Sequence, residues 1–191
     1  MLASMIYYYE MDCLRRVFSN NRESESKSEI GDFVAAGCLF TDGAHVLAGY
    51  QPQKTVPGIS GLGGKRLFGE PYFHTALRET LEELFDVTVN SGLLILLEAT
   101  MKPNQVIVNG TYVLLQFSFD DLRSLLEYAS TYCNRTPLYE TMPLSINDLI
   151  FNRKYTSDSE ISHLCLLPFI KGVSIHNDLT SDIQGLKDSS V

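Results

Sequence analysis

Arg78, Glu79, Glu82 and Glu83 stand close together in a stretch whose apolar residues Phe73, Leu77, Leu81 and Leu84 recur at helical spacings of four, four and three. On a helix, separations of three and four put Glu79 beside both Glu82 and Glu83, so three carboxylates share one edge. Like charges so placed cost roughly a few tenths of a kcal/mol per pair in an isolated helix, and crowding them calls for a counter-charge. A hard divalent cation supplies one, because Mg²⁺ prefers carboxylate oxygens, keeps several waters and bridges to phosphate groups. Just upstream, Gly58-Ile59-Ser60-Gly61-Leu62-Gly63-Gly64-Lys65 is rich enough in glycine to bring backbone N–H or C=O groups against a metal or a phosphate.

The elements that must position these residues are legible in outline. Residues 71–85 form the helix that carries the carboxylates, with Pro71 suited to its first turn. Residues 33–40 and 45–50 read as strands joined by the turn signal Thr41-Asp42-Gly43, and 51–64, with two prolines and four glycines, reads as a loop. The apolar run 93–97 suits a buried strand. Residues 106–108 and 111–119 flank Asn109-Gly110, a pair favoured in type I′ hairpin turns, where both central residues need positive φ. Helices are expected around 122–128 and 160–170. Strands before, around and after a central helix predict an α/β fold, a sandwich with a mixed sheet and a helix on each face.

Composition bounds the rest. The 191 residues, 45% hydrophobic and 20% charged, suffice for one substantial core. Its expected extent is 31–176, between a partly flexible N-terminal extension over 1–30, polar and charged at 20–29, and a polar tail over 177–191. A net charge of -8 makes extended nucleic acid a poor default partner, although metal ions can screen the carboxylates from a phosphorylated small molecule. Cys13, Cys38, Cys133 and Cys165 are scattered with no CxxC pair, which points away from zinc and toward a reducing compartment. The apolar start is cut off at Glu10 and Asp12 without a basic flank, and no run is long enough for a membrane span, so a soluble cytoplasmic protein is expected. His45, His74, His163 and His176 form no pattern with a nucleophile, and Tyr7 to Tyr9 and Tyr112 read as packing residues.

Gly64, five residues, Glu70, seven residues, then Arg78-Glu79-x-x-Glu82-Glu83 resembles the Nudix box, G-x5-E-x7-R-E-U-x-E-E-x-G-U with U aliphatic. Six of its seven fixed positions match, an agreement expected by chance on the order of once in ten thousand such chains. Phe85 stands where the box ends in glycine, and Thr80 and Asp86 occupy the two aliphatic positions. The missing glycine serves the chain's exit from the helix, a backbone role.

The resemblance implies a Nudix-like α/β/α sandwich and hydrolysis of a diphosphate linkage in a nucleoside diphosphate derivative. It implies Mg²⁺ or Mn²⁺ at Glu79, Glu82 and Glu83 with the Gly64 carbonyl, Arg78 paired with Glu70, and Lys65 as a phosphate contact. The general base falls among the box glutamates or later ones, with Glu98, Glu140 and Glu160 as candidates by residue type. A capped RNA end and an inositol pyrophosphate remain alternative substrates on the same site, and a non-catalytic Nudix-fold binding module remains an alternative to the enzyme.

Overall fold

Small and apolar residues on either side of Thr41-Asp42-Gly43 make the expected hairpin in the computed structural model, which describes residues 32–133, 135–168, 179–181 and 183. The chain divides into two compact units, Met1–Asp32 and Phe33–Val191, and the fold described is that of the second. The extension expected over 1–30, with Cys13 and Tyr7 to Tyr9, lies outside the described residues, as do His176 and most of the expected tail.

β1 (Ala35–Thr41) and β2 (His45–Gln51) are antiparallel and pair next to their turn, Thr41 opposite Val46. Beyond that point they part. The wedge between them is filled by a segment whose glycines and prolines predict only loop: β3 (Gly58–Ser60) pairs with β2, and β4 (Leu62–Lys65) pairs with β1. Strands this short owe their form to neighbouring edges already in place, not to propensity. On the far side of β1, β6 (Tyr112–Ser118) runs parallel to it, and β5 (Gln105–Asn109) pairs antiparallel with β6. Their turn is one residue later than Asn109-Gly110 suggests. Asn109 pairs with Tyr112, leaving Gly110 and Thr111 central, and of these only Gly110 has positive φ, 58°.

Two further expectations are corrected. Residues 160–170, expected as helix, contain β7 (His163–Pro168), antiparallel along β2 from His45 opposite Pro168 to Tyr50 opposite His163. The unpaired edge of β2 supplies a ladder, and in it Leu164 and Leu167 become buried. Residues 93–97, expected as strand, belong to a helix (Ser91–Thr100), capped by the Asn90 side chain, which accepts from the Leu93 N–H at 2.9 Å. A run apolar on all sides has no period to distinguish the two, and leucine favours the helix.

In chain order the helices are α1 (Tyr72–Phe85), that capped helix α2 (Ser91–Thr100), α3 (Phe119–Tyr132) and α4 (Ile146–Phe151), the last of which has no signature in the sequence reading. Pro71 is the N-cap of α1, one residue ahead of the first turn. α3 overruns its expected span because Ser118 and Asp121 form a reciprocal capping box.

The described strands make a seven-stranded mixed sheet with two covered faces. On one, Phe40 stacks on Phe117, and Phe73 of α1 meets Phe117 edge-on. On the other, Leu39, Val46, Ala48, Leu114 and Leu167 pack with Leu179 and Ile183. So at these two positions the expected polar tail reaches the core, since its apolar side chains cover a sheet face otherwise open to water. The architecture is the expected α/β sandwich with a mixed sheet. No helix among the described residues is long and apolar enough to cross a membrane.

The exit of α1 shows how a chain manages without glycine at position 85. Phe85 stays helical and fully buried, its ring 6.0 Å from that of Tyr139. The left-handed residue is Asp86 (φ 52°, ψ 53°), whose N–H donates to the Glu82 carbonyl. Arg153 donates to the Glu83 and Leu84 carbonyls at 2.9 and 2.6 Å, and the Thr136 hydroxyl donates to that of Phe85. The last carbonyls are thus satisfied from outside, by a cation at the negative end of the helix dipole. Asp86 carries both a Cβ in a left-handed conformation and a charge of the wrong sign for that end. Asp86→Gly should therefore raise stability by about 0.5–1 kcal/mol in urea unfolding; a loss of stability would refute this account of the exit.

Candidate active site

Helical spacing places Arg78, Glu79, Glu82 and Glu83 on the side of α1 that overlies β4, and the loop from Arg66 to Glu70 folds back beside them. Arg78 is 7% exposed. Its Nε and Nη2 donate to the two oxygens of Glu70 at 2.8 and 2.9 Å, a bidentate pair. Nη1 donates to Glu79 at 2.7 Å and Glu82 at 2.9 Å, and Nη2 also donates to the Lys65 carbonyl at 2.8 Å. Lys65 enters the site through this carbonyl, and its residue is exposed.

Glu70 receives more than Arg78. The Thr75 hydroxyl donates to it at 2.8 Å and the Leu67 N–H at 3.2 Å. Burial pushes the Glu70 carboxyl up, but these donors and the guanidinium outweigh it and hold the group below its usual value. For Glu82 the balance goes the other way: burial, with Glu79 and Glu70 nearby, lifts it despite Arg78. Arg78 itself is raised, chiefly by its hydrogen bonds to Glu70.

Glu83 is placed differently. It is 6% exposed, and its partners are neutral: the Gly63 N–H donates to Oε2 at 2.8 Å and the Gln51 amide to Oε1 at 3.1 Å. Burial raises its carboxyl well above the usual range; the Gly63 N–H opposes this, and the charges of Glu160 and Glu79 add to it. No ion pair holds Glu83 among the described residues, whereas Glu70, Glu79 and Glu82 all share Arg78. At Gly64 the chain runs directly beneath Glu79, so that a Cβ there would collide with its carboxylate.

Among the later glutamates, Glu160 is tied to Glu83 through Gln51, whose Nε2 also donates to Glu160 at 3.4 Å. Glu98 meets His74 at 2.9 Å, between α1 and α2, and Glu140 lies 3.7 Å from Lys154. Three residues that the sequence does not mark also belong here. Gln51 ends β2 and is 2% exposed, Lys54 lies within electrostatic reach of Glu83, and Arg153 holds the Glu83 and Ile161 carbonyls on one guanidinium. Nothing in their local sequence separates them from ordinary surface residues. A cavity of about 440 Å³ has Gly63 and Lys54 in its wall, with Ser60, Asn109, Tyr112 and Leu179; the box glutamates do not line it.

No protein-family model matches this chain, and no curated protein matches it in sequence. Solved structures do. A bifunctional NMN adenylyltransferase/ADP ribose pyrophosphatase from Francisella tularensis, solved with AMP and a Mn ion, aligns with 92% of the chain at 12% identity and TM-score 0.46. The chain spans 45% of that protein's length. A NUDIX hydrolase from Nitrosomonas europaea aligns with 82% of this chain and 89% of its own at 14% identity and TM-score 0.44. A Nudix hydrolase from M. smegmatis aligns with 83% and 86% at 13% identity and TM-score 0.46. The chemistry of the site rests on its own residues.

A divalent cation fits those residues by donor type. The carboxylates and the glycine carbonyls offer hard oxygens, and Glu83 is a buried carboxylate near the like charges of Glu160 and Glu79, with no ion pair among the described residues. As they stand, no three His, Cys, Asp or Glu side chains among the described residues are grouped around one point, and Glu79 and Glu82 are turned to Arg78. Mg²⁺ characteristically takes one or two carboxylates and completes its shell with water and phosphate oxygen.

The Arg78–Glu70 pair predicts a pH-dependent stability. A carboxyl whose folded pKa is lowered contributes stability above its unfolded pKa, here the ordinary 4.5, and loses it as pH falls through the folded value. Glu70→Gln should cost about 1–3 kcal/mol in urea unfolding at pH 7, and the gap to the native chain should close as pH is lowered past that range. A gap that stays constant with pH would contradict the ionic role of Glu70.

Proposed function

We propose that this chain is a Nudix-type pyrophosphohydrolase that cleaves a diphosphate linkage in a nucleoside diphosphate derivative with the help of Mg²⁺ or Mn²⁺. One observation carries the reading. The six residues matching the box, far apart as a pattern of letters, meet in one knot: Gly64 under Glu79, Arg78 bound to Glu70, Glu79 and Glu82, and Glu83 on the backbone of the glycine segment. A solvated acidic face needs no such closure.

In this reading Glu79, Glu82 and Glu83, with the Gly64 carbonyl, hold the cation. When bound, the ion neutralises the diphosphate and makes a water acidic enough to attack near neutral pH. The chain's own residues do the rest. Arg78 and Glu70 lock the loop to the helix, so the ligands keep their positions. The cavity beside Gly63 takes the group attached to the phosphates, and Lys54 in its wall supplies a positive charge toward them. The net charge of -8 favours a small molecule over a long phosphate backbone.

The engagement of Glu79 and Glu82 by Arg78 favours a second reading, in which the guanidinium has taken the place of the metal and the fold binds its ligand without hydrolysis. Purified protein with Mn²⁺, offered a panel of nucleotide sugars, dinucleoside polyphosphates, capped RNA and inositol pyrophosphates, should release a phosphate-bearing product from at least one, read by mass spectrometry. Glu83→Gln should lower that rate at least about a hundredfold with an unchanged circular dichroism spectrum. Ligand binding without turnover under every metal would establish the binding module instead.

A further inference from the structure

Gln51 presents a problem that the site as described does not solve. It is 2% exposed, and its Nε2 donates both to Glu83 Oε1 at 3.1 Å and to Glu160 Oε1 at 3.4 Å. With two carboxylates before it, the NH₂ end of the amide must face them. The carbonyl end, Oε1, is buried and accepts no hydrogen bond from the described residues. A buried amide oxygen left without a donor is unfavourable, and the two carboxylates that engage the amide are acceptors, which cannot relieve it. Oε1 shares a rigid planar amide with Nε2, so it sits in the same small volume as the carboxylate without an ion pair.

Such an oxygen is satisfied by a water whose hydrogens point outward, and a water on a cation is oriented in that way. We infer that Gln51 is a positioning residue of the metal centre: Nε2 draws Glu83 and Glu160 together, and Oε1 accepts a hydrogen from a water bound to the cation at Glu83. This rests on the metal-dependent reading above. It also gives Glu160 a place, at the outer side of the cluster and held by the same amide. Arg153 supports the arrangement, because one guanidinium nitrogen donates to the carbonyls of both Glu83 and Ile161, the residue next to Glu160.

The inference separates two ways in which Gln51 could matter. If its oxygen is what counts, Gln51→Glu keeps an acceptor in place and Gln51→Leu does not. If only its NH₂ counts, both variants lose it. Mn²⁺ binding to the full chain without substrate, measured from the free-ion signal in electron paramagnetic resonance, reads the difference, and circular dichroism with urea unfolding checks each fold. Gln51→Leu should weaken Mn²⁺ binding about 10- to 100-fold. Gln51→Glu keeps the acceptor but not the NH₂, so it should bind Mn²⁺ at least about tenfold more tightly than Gln51→Leu, and its metal-free form should be less stable because a third carboxylate joins Glu83 and Glu160. Native affinity in Gln51→Leu, or equal losses in the two variants, overturns the role given to Oε1. A native chain that binds no Mn²⁺ overturns the metal centre itself, and this inference with it. Should Gln51→Leu fail to fold, Gln51→Ala takes its place in the comparison.

Discussion

One buried guanidinium organises this molecule's acidic face. Three carboxylates crowd around Arg78, which offsets their mutual repulsion, and they in turn compensate a cation in so enclosed a place. Its five hydrogen bonds run in two directions, to the loop through Glu70 and the Lys65 carbonyl and to the helix through Glu79 and Glu82. Lysine could not do this, because a point charge on a flexible stem lacks the planar fork that satisfies Glu70 with two parallel bonds. The loop and helix thereby become one rigid piece, and the register of that piece sets where every other acidic group lies.

The compensation is uneven, and the unevenness matters. Arg78 is shared by Glu70, Glu79 and Glu82, while Glu83, more deeply enclosed, has a peptide N–H and an amide for partners among the described residues. A carboxylate so situated is raised in pKa and would be relieved by a cation. The sheet provides the setting. β1 and β2 separate past their turn, β3 and β4 occupy the wedge, and the glycines there let the backbone come under Glu79 and against Glu83. A side chain at Gly63 would meet the backbone of β1 and the Tyr112 hydroxyl, and one at Gly64 would displace the Glu79 carboxylate.

The departure from the box at Phe85 has a cost elsewhere in the chain. Without glycine the helix runs on by a residue, turns at Asp86, and has its last carbonyls met by Arg153 and Thr136 from segments about 50 to 70 positions away. Phe85 becomes a core residue beside Tyr139. The same Arg153 reaches the Ile161 carbonyl, so the end of α1 and the start of the Glu160 segment are fixed together. What reads as a defect in a local motif is a long-range tie in the folded chain.

The sequence alone determined what depends on near neighbours: the period that makes α1, the turn that makes the first hairpin, and spacings that put carboxylates on one helix edge. These are decided within a few residues, where geometry follows from order along the chain. Only the tertiary structure decided the rest. Residues 91–100 are helix and 163–168 strand because apolar runs without a period take the form that their surroundings complete, a capped helix against α1 in one case and an open edge of β2 in the other. Gln51, Glu83 and Glu160 meet for the same reason: no local rule links positions 32 and 77 residues apart, and it takes the packing of α1 on the sheet, with β7 beside β2, to bring them within reach of one amide.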